Sequence, residues 1–119
     1  MEKRLVSWVT IPAADFERAV KFYGTVLSIK FETYDCGDGV RMACFPTGEG
    51  EICYSPDMKP SKEGTMVSLA VPDSIEASIA RAEALGGEVV IPKTKIEAEG
   101  LGYFAVLADT EGNLVGLYE

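Results

Sequence analysis

Three cysteines (Cys36, Cys44 and Cys53) and no histidine set the chemistry open to this chain. A thiol becomes a nucleophile when a base or cation lowers its pKa, and without an imidazole neither Cys44 nor Cys53 has the usual activator. Both read as structural. None forms a CxxC and three cannot all pair, so free thiols in a reducing, cytoplasmic setting are expected. Arg41 and Tyr103 could offer a cation and a phenol to an acidic ligand, although each is also an ordinary strand-surface residue. Asp109, Glu111 and Asn113 share a tight loop, where short polar side chains bond nearby backbone. Lys93, Lys95, Glu97 and Glu99 read as a solvated loop able to act as a lid. No Walker-type phosphate loop and no dinucleotide fingerprint is present.

A duplicated chain must position these groups. Val6-Ser7-Trp8 recurs as Val67-Ser68-Leu69, and Ile11-Pro12 as Val71-Pro72. Phe16-Glu17-Arg18-Ala19-Val20 matches Ile75-Glu76-Ala77-Ser78-Ile79, and Glu49 to Tyr54 matches Glu111 to Gly116. Each copy has the length of one strand–helix–hairpin module.

The spacing predicts a strand over Leu5 to Ile11, then a helix capped by Asp15 and running to about Leu27. Its apolar stripe is Phe16, Ala19, Val20, Tyr23 and Leu27. Strands near 29–34, 40–45 and 51–55 follow, separated by glycine-rich turns. Residues 56–64 form the one linker-like stretch. The second copy repeats the order with a strand over 66–71, a helix opened by Asp73 and a stop at Gly86-Gly87. Its buried stripe is Ile75, Ile79, Ala82 and Leu85. Strands near 89–91, 103–108 and 114–118 complete it. The expected class is α+β, with two βαβββ modules forming paired curved mixed sheets around a cleft and helices on the outside. Module one covers about 4–58 and module two about 65–119, in one domain over 1–119.

The net charge of −8 repels phosphates, which argues against a nucleic-acid partner and an anionic membrane surface. Met1-Glu2-Lys3-Arg4 leads into a run broken by Ser7, Trp8 and Thr10, unlike a signal-peptide core. No apolar stretch reaches the ~20 residues that span a bilayer.

Taken together, Trp8-Val9-Thr10-Ile11-Pro12 before Asp15 to Tyr23, the Ala80-Arg81-Ala82-Glu83-Ala84-Leu85-Gly86-Gly87 helix end and the closing Asp109 to Leu117 turn carry a likeness. The chain resembles the vicinal oxygen chelate superfamily, which includes glyoxalase I, bleomycin- and fosfomycin-resistance proteins and extradiol dioxygenases. In its metal-using members each module supplies one ligand from its first strand and one from its last. The resemblance carries those places to Trp8 and Tyr54 in the first copy and to Met66 and Gly116 in the second. None is an imidazole or a carboxylate, so no metal and no cofactor is expected.

Alternation along the strands turns Trp8 and Thr10 away from the helix, as it does Met66 and Ser68, so the inferred cleft is lined by Trp8, Thr10, Tyr54, Met66, Ser68 and Gly116. That mixture suits an apolar or aromatic small molecule, and equally a cleft filled as plain core. Gly116 leaves room for a bulky ligand or for Trp8 itself. The resemblance implies a homodimer and metal-independent ligand binding, with a glyoxalase-like lyase or isomerase as the alternative. A face covered by a protein partner, with no ligand, is a third reading.

Overall fold

Asp15 starts the first helix because its extended backbone lets the carboxylate accept from Arg18 N at 3.1 Å. In the computed structural model, which describes residues 5–119, this helix is α1 (Phe16–Val26), and it buries Phe16, Ala19, Phe22, Tyr23 and Val26. Val20 is only half-buried and Phe22 joins the stripe. The second helix, α2 (Ile75–Ala84), opens on Ser74 rather than Asp73. Ser74 Oγ accepts from Ala77 N at 3.1 Å, while Asp73 pairs with Arg81 at 2.8 Å. The Arg81 hydrogen bonds hold the Asp73 carboxyl down at about 2. Ile75, Ser78 and Ala82 are its buried residues, with Ile79 and Leu85 half-buried.

The strands are β1 (Val9–Pro12), β2 (Glu32–Gly37), β3 (Val40–Cys44) and β4 (Gly50–Tyr54) in module one. Module two has β5 (Ser68–Ala70), β6 (Glu88–Lys95), β7 (Tyr103–Ala108) and β8 (Leu114–Tyr118). Each module folds into a four-stranded mixed sheet, in the orders β1-β4-β3-β2 and β5-β8-β7-β6. The first strand of each pairs parallel with the last, and the remaining pairs are antiparallel. Helices cover one face of each sheet, and a single apolar cluster containing Ile11, Phe22, Ile52, Ile75, Leu107 and Leu117 runs through both modules.

Several boundaries differ from expectation. The first strand begins at Val9, because its partner β4 begins opposite at Gly50; Leu5 and Val6 stand exposed before it. β5 is likewise shorter than 66–71. β6 continues to Lys95 against β7, so Lys93 and Lys95 belong to a strand instead of a loop. The amino-terminal Met1-Glu2-Lys3-Arg4, including the expected start of module one at residue 4, lies outside the described residues.

Register corrects the alignment of the two copies. Thr10 lies opposite Glu51, and Ser68 lies opposite Gly116. Trp8 therefore corresponds to Met66, Thr10 to Ser68 and Glu51 to Gly116. The matches of Val6 to Val67 and of Tyr54 to Gly116 do not hold.

One carboxylate locks the modules together. The Glu111 side chain is 0% exposed, and its Oε1 accepts from Ala14 N (2.9 Å) and Asp15 N (2.7 Å) at the start of α1. Oε2 accepts from Arg18 Nε at 2.7 Å. Beside it Asp109 Oδ1 gathers the N–H groups of Glu111, Gly112 and Asn113, while Oδ2 takes the Tyr23 hydroxyl at 2.5 Å. Asn113 Nδ2 donates to Pro12 O at 2.8 Å. Local turn bonding is thus only part of what this loop does. No buried side-chain polar atom among the described residues lacks a partner.

Burial pushes the Glu111 carboxyl up, but the hydrogen bonds from Arg18, Asp15 N and Thr110 outweigh it and hold the group below its ordinary 4.5. A lowered folded-state pKa contributes stability that is full above 4.5 and is lost as pH falls through the folded value. Glu111→Gln is expected to cost about 2 kcal/mol in urea unfolding at pH 7, since charge-assisted bonds are weakened and Arg18 loses its partner. It should also make stability less dependent on pH below 4.5. Unchanged stability and an unchanged acid limb would show that Glu111 does not clamp the modules.

Candidate functional site

The two sheets meet at β1 and β5, edge strands that no strand joins among the described residues. Along this seam lies a cleft of about 480 Å³, lined by Trp8, Thr10, Met66, Ser68, Leu114 and neighbouring backbone. Trp8, 45% exposed, and Met66 stand on corresponding positions of the two modules and form its apolar wall. A larger hollow of about 960 Å³ lies further along, among Leu5, Leu27, Phe45 and Leu69. The smaller cleft has the fixed polar groups that orient a ligand, so it is the better candidate.

Glu51 supplies that fixation. Its Oε2 accepts from Trp8 Nε1 at 2.7 Å and from Thr10 Oγ1 at 2.9 Å. The bond to Trp8 ties the indole to β4, and the bond to Thr10 sets the hydroxyl beside it. Both donors face away from α1, because Thr10 and Glu51 are register partners on the open face while Ile11 and Ile52 are buried beneath. The sequence reading missed Glu51. The signal was available in the parallel pairing of first and last strands, which places a residue two after Trp8 opposite one just past the Gly48-Glu49-Gly50 turn.

Of the expected site residues, Trp8, Thr10, Met66, Ser68 and Gly116 come together at the seam. Arg41, Tyr54 and Tyr103 do not. Arg41 lies over the Phe16 ring at 4.3 Å and donates to Glu17 at 2.6 Å, so it faces α1; Tyr54 is its register partner and shares that side. Tyr103 takes Lys93 over its ring at 4.7 Å, and Lys93 also bonds Glu76 of α2. Arg41 and Tyr103 do occupy equivalent places, but on the helix-bearing faces.

Gly116 leaves no room for a ligand, because the Ser68 hydroxyl already fills the place its side chain would take. Cys53 shares the open face with Glu51, opposite to the orientation expected from alternation, and is buried. Burial, followed by the charge of Glu51, pushes the thiols of Cys44 and Cys53 up, away from thiolate chemistry.

The places that hold metal in metal-using relatives now read Trp8, Glu51, Met66 and Gly116. One is a carboxylate, already engaged by an indole and a hydroxyl; the others are an indole, a thioether and no side chain. This donor set does not fit a catalytic divalent ion. Among the described residues no group of three or more His, Cys, Asp or Glu side chains could hold one. Nor is any helix there long and apolar enough to cross a membrane.

Comparison with known proteins agrees with this fold. Residues 8–118 match the family model described as a glyoxalase-like domain. A glyoxalase/bleomycin resistance protein from Albidiferax ferrireducens is similar at 20% identity and a TM-score of 0.68, covering 96% of this chain and 98% of its own. The fosfomycin resistance protein FosX from Listeria monocytogenes matches at 14% identity and a TM-score of 0.65, over 99% of this chain and 91% of its own. A glyoxalase I mutant from Zea mays matches at 21% identity and a TM-score of 0.69, over 94% of this chain. The matched part is 44% of the maize chain, so this chain spans less than half of that protein. No protein with a curated description matches.

Cutting the Glu51 contact should free the indole. Glu51→Ala is expected to lower the fluorescence anisotropy of Trp8, the sole tryptophan, and to raise its quenching by acrylamide. Stability should change by less than about 1 kcal/mol, because the pair is exposed. Unaltered anisotropy and quenching would mean that Glu51 does not hold the ring.

Proposed function

The chain belongs to the glyoxalase-like domain family, and on that premise we propose that it binds a small apolar or aromatic molecule in the β1/β5 cleft without a metal. The observation that carries the reading is the cleft wall itself: an indole fixed by Glu51, a thioether opposite and the hydroxyls of Thr10 and Ser68 beside them. An apolar hollow with few oriented polar groups is the composition of ligand pockets. Two of the similar structures carry antibiotic resistance in their names, which suits a role in sequestration. The donor set supports independence from metal, because three of the four relevant positions offer no suitable ligand.

The open sheet face also supports a homodimer. Trp8, Tyr34, Met66, Ile91 and Tyr118 lie exposed on or beside it, and a two-fold copy is the commonest cover for such a surface. Free thiols at Cys36, Cys44 and Cys53 favour a reducing, cytoplasmic setting.

A thermal-shift screen of aromatic and antibiotic-like compounds tests the binding role. A ligand selective for the native state is expected to raise the midpoint by several degrees, on the order of 2–3 kcal/mol at a hundredfold excess over Kd. Trp8→Ala should abolish the rise. A full rise in that variant would place the binding elsewhere, and stoichiometric zinc, nickel, iron or manganese in untagged protein would overturn the metal-free role.

A further inference from the structure

We propose that the ligand of this cleft is an organic cation, its positive group received by Glu51 and its apolar body by Trp8 and Met66; this rests on the cleft being the binding site. The first ground is the carboxylate itself. Glu51 Oε2 is occupied by Trp8 Nε1 and Thr10 Oγ1, and among the described residues Oε1 takes no hydrogen bond. Glu51 is half-buried, and its two donors line the cleft, so this oxygen is an oriented acceptor at the cleft's edge, paired with no cation among the described residues.

The second ground is how charge is divided between the two sides of the sheets. By register, Glu32, Glu51 and Glu88 fall on the open face. No Lys or Arg of a described strand falls there. Arg41 is drawn to Glu17 and the Phe16 ring, Lys93 to Glu76, Glu119 and Tyr103, and Lys95 shares a side with Tyr103. Each strand cation is thus on the helix-bearing side, and the open side is left acidic and aromatic. An indole face beside a carboxylate attracts an ammonium or amidinium by its quadrupole and by direct pairing, and disfavours an anion. The net charge of −8 raises the local concentration of such a molecule before it docks.

The test uses the single tryptophan as reporter. Trp8 fluorescence is titrated with benzylammonium, benzyl alcohol and benzoate, which share a ring and differ in charge. Benzylammonium is expected to bind about tenfold or more tightly than the alcohol, with benzoate weakest. Glu51→Gln keeps an acceptor for Trp8 and Thr10 but removes the charge, and should erase the preference, bringing benzylammonium to the affinity that the alcohol has in the same variant. Glu63→Gln, the same change in net charge on the loop between the modules, should preserve it. Equal affinity for cation and alcohol, a preference for benzoate, or a Glu63→Gln effect as large as that of Glu51→Gln would overturn the proposal and leave the cleft reading standing. If no probe of any charge alters Trp8 emission, the cleft reading falls, and the cation with it.

Discussion

The cleft exists because a carboxylate of one module caps the helix of the other. Glu111, its side chain fully buried, satisfies two amide groups at the start of α1 that no helical carbonyl can reach, and it pairs with Arg18. The same hairpin loop hydrogen-bonds Pro12 O at the end of β1 and Tyr23 within α1. β1 is thereby fixed relative to β8 without being paired to it. The two sheets keep separate hydrogen-bond ladders, and the seam between them stays open.

What lines the seam follows from that arrangement. Trp8 and Met66, at equivalent positions, form an apolar wall on either side of it. The two copies then diverge one strand further in. Module one keeps Glu51, which holds the indole and the Thr10 hydroxyl; module two has Gly116, whose vacant side-chain space is filled by Ser68. The divergence removes the symmetric ligand set that a divalent ion would need and leaves one oriented carboxylate in its place. The site is asymmetric in charge although the scaffold is duplicated.

Much of the fold was legible in the sequence. Helix periodicity, the Asp15 cap, the Gly86 stop and the glycine turns gave both helices and the order of strands, because each depends on local chemistry. Which face a strand residue occupies was less legible. The closing strands were aligned on their turns, placing Tyr54 against Gly116, whereas the pairing register places Glu51 there, three positions earlier. An odd shift turns every side chain to the opposite face. That one error hid Glu51, misdirected Tyr54 and reversed Cys53. The Asp73 cap failed for a related reason: Ser74 and Asp73 are both good caps, and Arg81, in the last turn of α2 and anchored to Val26 O of α1, decided between them by taking Asp73. Long-range partners settle such choices, and a local pattern does not contain them.

The central claim is that the β1/β5 seam, with Trp8 fixed by Glu51, receives the ligand. Amide and indole NMR shifts of ¹⁵N-labelled protein during titration with a fragment mixture test this most directly. The account predicts perturbations that begin at the single indole N–H and extend through Thr10, Glu51, Met66 and Ser68. Shifts confined to the helix-bearing side near Arg41 and Tyr103, with the indole resonance unmoved, would contradict it.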